Sequence, residues 1–306
     1  MKKIGGDRKE VDKSNAHQRN KYIAIKELNE CGYSISQLCK SAKIARASYY
    51  KWLNRAETLK DKENCIILDE IIKVYSEVKG IYGYRRITLN INKILNSNYN
   101  HKRIYRLMKS VNLTSIIRKK RKRYIHSTPQ ITAENILNRK FSADKPNEKW
   151  LTDVTEFKLT SGKKAYLSAI LDLSDNSIVS YVLGSSNNNQ LVFSTLDKAI
   201  EQNPDVRPLF HSDRGFQYTN KIFKNKLDKI NATQSMSRIG RCIDNGPMEG
   251  FWGTLKSEMY YLRKFDTYEE LEQAIAEYID FYNTKRLQKK LKSMTPIEYR
   301  SHTLVP

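Results

Sequence analysis

Apolar positions recur at helical spacing through the first third of the chain and switch to strand spacing near its middle. Between residues 20 and 56, Ile23, Ile25 and Leu28 precede a break at Gly32. A short helix capped by Ser36 follows and ends near Ala42; a second runs from Ala45 to Leu53 and carries Tyr49, Tyr50 and Trp52. Short helix, tight turn, short helix is the layout of a helix-turn-helix, and equally of an ordinary three-helix bundle with Tyr49 and Trp52 in its core. Ile66, Ile67, Ile71, Ile72 and Tyr75 then keep a 3.6-residue period. The stretch from Gly80 to Ile87, GIYGYRRI, reads as a loop leading into a helix from Arg85 to Leu95. A further helix spans His101 to Val111, with Ile104, Leu107 and Met108 on its apolar side.

From Trp150 the period shortens to two. WLTDVTEFKL, AYLSAILDLS and SIVSYVLGS are β-rich runs separated by Ser-Gly-Lys and Ser-Asp-Asn turns, which predicts an antiparallel three-strand meander. A helix from Asn189 to Gln202, a short apolar strand from Pro208 to His211 and a helix from Asn220 to Ile230 come next. SMSRIGRCIDNGPMEG reads as a loop, Pro247 opens a helix to about Leu262, and a last amphipathic helix covers about Tyr268 to Asn283. Strands and helices mixed in this order predict a three-layer α/β domain after an all-α region. The expected division is a helix-turn-helix over 1–58, a second helical DNA-binding module over 59–117, a basic linker over 118–148 and the α/β domain with its C-terminal helix over 149–306.

Charge separates the same two regions. The chain has 306 residues with 55 Lys and Arg against 33 Asp and Glu, a net of +22. Residues 1–149 hold 34 of those cations and 14 of the acids, whereas residues 150–306 hold 21 and 19. So concentrated an excess is the footprint of a polyanion-binding region. Arg46 and Lys51 on the second short helix, Arg85 and Arg86 after the Tyr-Gly-Tyr turn, and Lys102, Arg103 and Arg106 on the next helix are the candidate phosphate contacts. Arg118, Lys119, Lys120, Arg121, Lys122 and Arg123 form an unbroken cationic run suited to touching phosphates without reading sequence. No apolar run approaches the roughly 18 residues of a membrane span, and no apolar stretch follows the basic N-terminus, which predicts a cytoplasmic protein associated with the nucleoid. The four cysteines are scattered, without a CxxC pair, which argues against a disulfide framework or a cysteine zinc site.

Three acids stand where structural acids seldom do. Asp153 falls inside the first strand, Asp213 follows the short apolar strand at its C-terminal end, and Glu249 lies in the first turn of the helix opened by Pro247. Singly, each has a bland reading: Asp213 as a turn acid before Arg214-Gly215, Glu249 as a first-turn acid favoured by the helix dipole. Converging carboxylates repel unless a cation neutralises them, and hard oxygen donors without cysteine support favour Mg²⁺ or Mn²⁺ over zinc.

The series WLTDVT, LFHSDRGFQYT and SMSRIGRCIDNGPMEGFWGTLKSE, with 35 residues between Asp213 and Glu249, resembles the DDE core of bacterial insertion-sequence transposases of the OrfB type. These belong to the retroviral-integrase superfamily, with a ribonuclease-H-like fold. YGYRRI with HKRIYRLMKSVNL is similar to the helical module that precedes that core, and FYNTKRLQKKLKSMTPIEYR to its C-terminal signature, so the likeness covers about residues 20–300. The sequence departs from the pattern at Arg286-Leu287-Gln288, where Arg-x-His is expected, and at Phe216, where a small residue is commoner.

The resemblance implies that Asp153, Asp213 and Glu249 hold two Mg²⁺ ions, with Mn²⁺ as a substitute, and catalyse cleavage at the element's 3′ ends followed by strand transfer. Lys256, two helical turns after Glu249, would contact terminal DNA, while His211, Arg214, Gln217, Tyr218, Asp244 and Asn245 would shape the pocket. It further implies double-stranded DNA partners (terminal inverted repeats and target), a homo-oligomer on DNA, and an upstream helix-turn-helix protein joined by frameshifting. Two alternatives stay open: a ribonuclease-H-like nuclease without strand transfer, and a catalytically silent DNA-binding regulator.

Overall fold

The computed structural model describes residues 20–54, 56, 58–117, 133–238 and 242–304. They fall into two compact units, one ending at Ile67 and the other beginning at Leu68. In the first unit, α1 (residues 20–30), α2 (Ile35–Ala42) and α3 (Arg46–Leu53) enclose Ile25, Cys39 and Tyr49. The residue before α2 is Ser34, and its side chain makes no cap hydrogen bond; the expected cap, Ser36, lies inside the helix. Lys43 takes a left-handed φ of 55° to end α2, which makes the tight turn into α3. Tyr49 faces inward, while Arg46, Ser48 and Lys51 stay exposed.

A long helix, α4 (Leu59–Glu77), leads into the second unit. Its buried stripe is narrower than the isoleucine run suggests: Ile71 and Val74 are enclosed, whereas Ile66 and Ile72 face out. Helices α5 (Tyr84–Ile94) and α6 (His101–Ser110) pack through Ile87, Ile91, Ile104 and Met108, and the Asn100 side chain caps α6 by accepting from the Lys102 N–H at 2.9 Å.

The sheet is β3-β2-β1-β4-β5, with β1 (Lys149–Lys158), β2 (Lys164–Asp172) and β3 (Ile178–Gly184) forming the expected antiparallel meander. The fourth strand, β4 (Leu209–Ser212), pairs parallel with β1, and β5 (Thr233–Met236) parallel with β4. Strand β5 lies partly in the segment expected to be a loop; at four residues it is too short and too polar to show alternation. Side chains of β1 alternate across the sheet. Trp150 points to one core, with Phe210, α7 (Asn189–Gln202) and α8 (Lys221–Lys229); Leu151 and Phe157 point to the other, with α9 (Gly246–Glu258) and α10 (Tyr268–Thr284). The result is three layers, helices over both faces of a mixed sheet.

Other boundaries also move. Helix α9 ends at Glu258 and a short 3-10 turn takes over at Tyr260–Leu262. Thr267 starts α10 through a reciprocal capping box with Glu270. A further helix, α11 (Pro296–Leu304), follows what sequence periodicity gave as the last one. From α11, Arg300 reaches two acids at the end of β2, at 2.7 Å from Asp172 and 2.5 Å from Asp175. Residues 133–148 have no regular structure, yet they are not a loose connector: Leu137 is buried in the α9-side core and the Ser235 hydroxyl accepts from the N–H groups of Ile136 and Leu137. The cationic run 118–123 lies outside the described residues.

Candidate active site

Parallel pairing of β1 with β4 sets the geometry. Trp150 is in register with Phe210 and Leu151 with His211, so two residues further along come Asp153 and Asp213, level with each other at the carboxyl end of β4. Both share the parity of Leu151 and His211, and so lie toward the α9 side of the sheet. There the α9 layer meets them: the Trp252 indole N–H donates to Asp153 Oδ2 at 3.1 Å, and Asn245 Nδ2 donates to the Thr152 carbonyl at 3.0 Å. Glu249, three residues before Trp252, projects from the first turn of α9 with an exposed side chain.

Electrostatics couples the three. Burial, then the charge of Asp213 and more weakly that of Glu249, pushes the Asp153 carboxyl up to about 7, against the Val154 and Trp252 N–H groups that favour its anion. Asp213 is open to solvent along one edge yet hemmed in by protein, which raises its carboxyl too, while the Gly215 N–H donates to Oδ1 at 2.8 Å. A Cβ on Gly215 would come 2.8 Å from Gln217 Oε1 and 3.0 Å from that carboxylate, so a larger residue there would push on both side chains. The charge of Asp213 thus favours the protonated form of Asp153. Among the described residues, no three or more His, Cys, Asp and Glu side chains are placed so that they could hold a metal ion together.

The motif residues around the acids form a scaffold. His211 is buried, held neutral by desolvation that pulls it down to about 4, and sits 2.9 Å from the Ser235 hydroxyl and 3.1 Å from that of Ser237. Arg214 donates to the Ser237 carbonyl at 2.7 Å, Gln217 pairs with Asn187, and buried Tyr218 lies against Thr152. Asp244 is buried and taken up by two arginines. The guanidinium of Arg238, then that of Arg139, binds it and holds it far below the usual carboxylate range, which ties residues 135–139 to the segment entering α9.

The expected DNA contacts divide. Arg46, Lys51, Arg85, Lys102 and Arg106 are exposed; Arg103 is half-buried over the Tyr99 ring, and Lys256 lies 5.1 Å from the centre of Phe157. Arg86 turns inward. It forms an ion pair with Glu258 at 2.9 Å, and Arg286 binds the same carboxylate at 2.8 Å. Burial works against the charge on Glu258, but the Arg286 hydrogen bonds and both guanidinium charges hold it below its ordinary range. Nothing in the spacing of Arg86, Glu258 and Arg286 signals this cluster, nor the indole bond from Trp252, because all four partners come from distant segments or an apolar helix face.

Residues 143–242 and 249–304 match the family described as Integrase core domain, and residues 62–121 match the HTH-like domain. A protein of Escherichia coli K12 assigned as transposase to the insertion sequence element IS150 is 41% identical over 92% of this chain and 99% of its own length. The chain belongs to the insertion-sequence transposases. The transposase of element IS904 from Lactococcus lactis is 32% identical over 82% of this transposase and 99% of its own length. The integrase core match, with the mixed sheet and its two helical layers, makes the fold of this transposase ribonuclease-H-like α/β. Among solved structures, the HTLV-2 integrase catalytic core domain in complex with magnesium is 19% identical to the transposase, covering 51% of this chain and 97% of its own, with a TM-score of 0.41. No described helix of the transposase is long and apolar enough to cross a membrane.

Proposed function

We propose that Asp153, Asp213 and Glu249 are the catalytic triad of this transposase and that they bind divalent metal, two Mg²⁺ ions with Mn²⁺ able to replace them. The observation that carries the reading is the register that sets Asp153 level with Asp213, with the Asp153 carboxyl pushed up to about 7 by burial and its neighbour's charge. The donor set fits: every group is a hard carboxylate oxygen, the two aspartates repel, and among the described residues no cation is ion-paired to either. Asp153 and Asp213 would hold the ions with Glu249 closing the set from α9. The bound metal supplies Lewis-acid stabilisation of the attacking and leaving oxygens.

The chain's own groups do the rest. Trp252 fixes Oδ2 of Asp153 so that its carboxylate keeps one orientation, and Asn245 pins the start of α9 to β1. Lys256, seven residues past Glu249, offers its ammonium to a phosphate on the same helix face. In cleavage, a water oxygen bonds to phosphorus and the bond to the 3′ oxygen breaks, leaving a free 3′-OH at the element's end. In strand transfer that 3′-OH attacks a target phosphodiester, a new bond forms and the target's own 3′ oxygen leaves. Neither step needs a protein nucleophile: cleavage uses one water and gives up one phosphodiester, whereas strand transfer forms one for each it breaks.

The substrate is double-stranded DNA, terminal inverted repeats and target, bound by the modules over 1–58 and 59–117 with the basic run 118–123 between them and the core. Two ends must meet, so the working form is a homo-oligomer on DNA in the nucleoid, joined where needed by an upstream helix-turn-helix protein fused through frameshifting. The test compares wild type with Asp213→Asn on a labelled terminal-repeat duplex with Mg²⁺. Cleaved and joined products lost in the variant are expected. Products that persist in the variant remove Asp213 from the chemistry, and cleavage without joining makes the chain a nuclease.

A further inference from the structure

A groove of about 490 Å³ opens between the start of α5 and the turn after α10. Tyr84, Arg85 and Arg86 form one wall, and Arg286, Lys289 and Lys290 the other; no acid lines it. Arg86 and Arg286 face the back of the groove, where Glu258 binds both, so one carboxylate neutralises part of their charge and fixes their position. The outer cations are Arg85, Lys289 and Lys290, all exposed. Arg85 rests against Tyr84, its Nε 3.2 Å from the phenol oxygen.

The second wall is a rigid turn. Leu287 and Leu291 are buried, and Gln288 bridges to Met294, with the Gln288 N–H donating to the Met294 carbonyl at 2.9 Å. Lys292 and Ser293 take left-handed φ values of 52° and 64° to close it. Burying the two leucines forces Lys289 and Lys290 outward at its tip. A second cavity of about 640 Å³ shares Arg286, Gln288 and Lys290 and continues past Gly246, Gly250 and Thr254 of α9. Arg286 and Lys290 thus stand where the groove opens onto the helix that carries Glu249, along a stretch that no acid lines.

We propose that this groove seats the sugar-phosphate backbone of duplex DNA, read for charge rather than sequence, and leads it along α9 toward the acids. The turn of residues 286–290 is then a DNA-binding element in its own right, completed by Arg85 from the helical module. The inference rests on duplex DNA being the substrate. Glu258 holds Arg86 and Arg286 in place before binding, so little ordering cost falls on those two.

The experiment uses the full chain with Asp213→Asn, so that binding is read without turnover and a failed catalytic reading leaves it untouched. Lys289→Ala/Lys290→Ala is compared with its parent by fluorescence anisotropy on a terminal-repeat duplex and on an unrelated one, at salt concentrations from about 50 to 200 mM. Loss of two phosphate contacts lowers the slope of log affinity against log salt by about 1.8, so the parent should lose about twelvefold more affinity than the variant across that range. The same change is expected on both duplexes, with Lys289→Arg/Lys290→Arg restoring the parental slope and an unchanged melting temperature showing an intact fold. An unchanged slope overturns the proposal. So does a change confined to the terminal repeat, which means base readout, or displacement by inorganic phosphate as effective as by duplex, which means a small-anion site.

Discussion

Asp153 has a cost that can be measured without DNA. Its folded-state carboxyl stands at about 7 against an ordinary value near 4, so the folded protein holds a proton that the unfolded chain releases between those limits. Folding stability from this group therefore falls as pH rises through that window, and the full penalty is present above about 7. Asp153→Asn removes it. In metal-free buffer the variant should melt above wild type at pH 8, by about 2–4 °C for each kcal/mol recovered, and level with it at pH 4. A thermal melt in chelator at the two pH values checks this, and an equal shift at both would show that the charge is not responsible. The acids were legible from sequence because each interrupts a pattern: a carboxylate in an apolar strand, another at a strand's end, a third beside a helix-opening proline. Trp252 was not, since an indole on an apolar helix reads as core, and it is core on all but its N–H edge.

At the scale of elements, the meander, α7 and α8 followed directly from periodicity, because each is long enough to repeat its pattern. Strand β5 and helix α11 did not. The first is held by parallel pairing to β4, the second by Arg300 and by Lys93, which lies 2.7 Å from Glu298; both depend on partners far away in sequence. The same limit hid the ion cluster in which α5, α9 and the turn after α10 meet at Glu258. Removing one partner leaves a buried carboxylate under-compensated. Arg286→Ala should lower stability by about 3–5 kcal/mol, while Arg286→Met with Glu258→Leu should recover most of it. Chemical denaturation with an unchanged slope would establish the pair; a double variant no better than the single would show that the arginine acts through packing alone.

Across the whole molecule, the split between a basic helical half and a near-neutral α/β half was visible in charge alone. The border between them was not, because a segment without periodicity gives no sign of being packed. Leu137 fills a place in the core, and Arg139 joins Arg238 on Asp244. A core fragment begun at residue 133 should therefore melt well above one begun at 149. Losing Leu137 by itself opens a cavity worth about 2–5 kcal/mol, and the Asp244 clamp goes with it. Fragments of equal melting temperature would make the segment dispensable.

Without Arg300, Asp172 and Asp175 sit at the end of β2 without the cation that pairs with both. The strand beside the central one is thus sealed from the far end of the sequence. A chain cut before residue 300 is therefore expected to carry two uncompensated carboxylates beside the sheet.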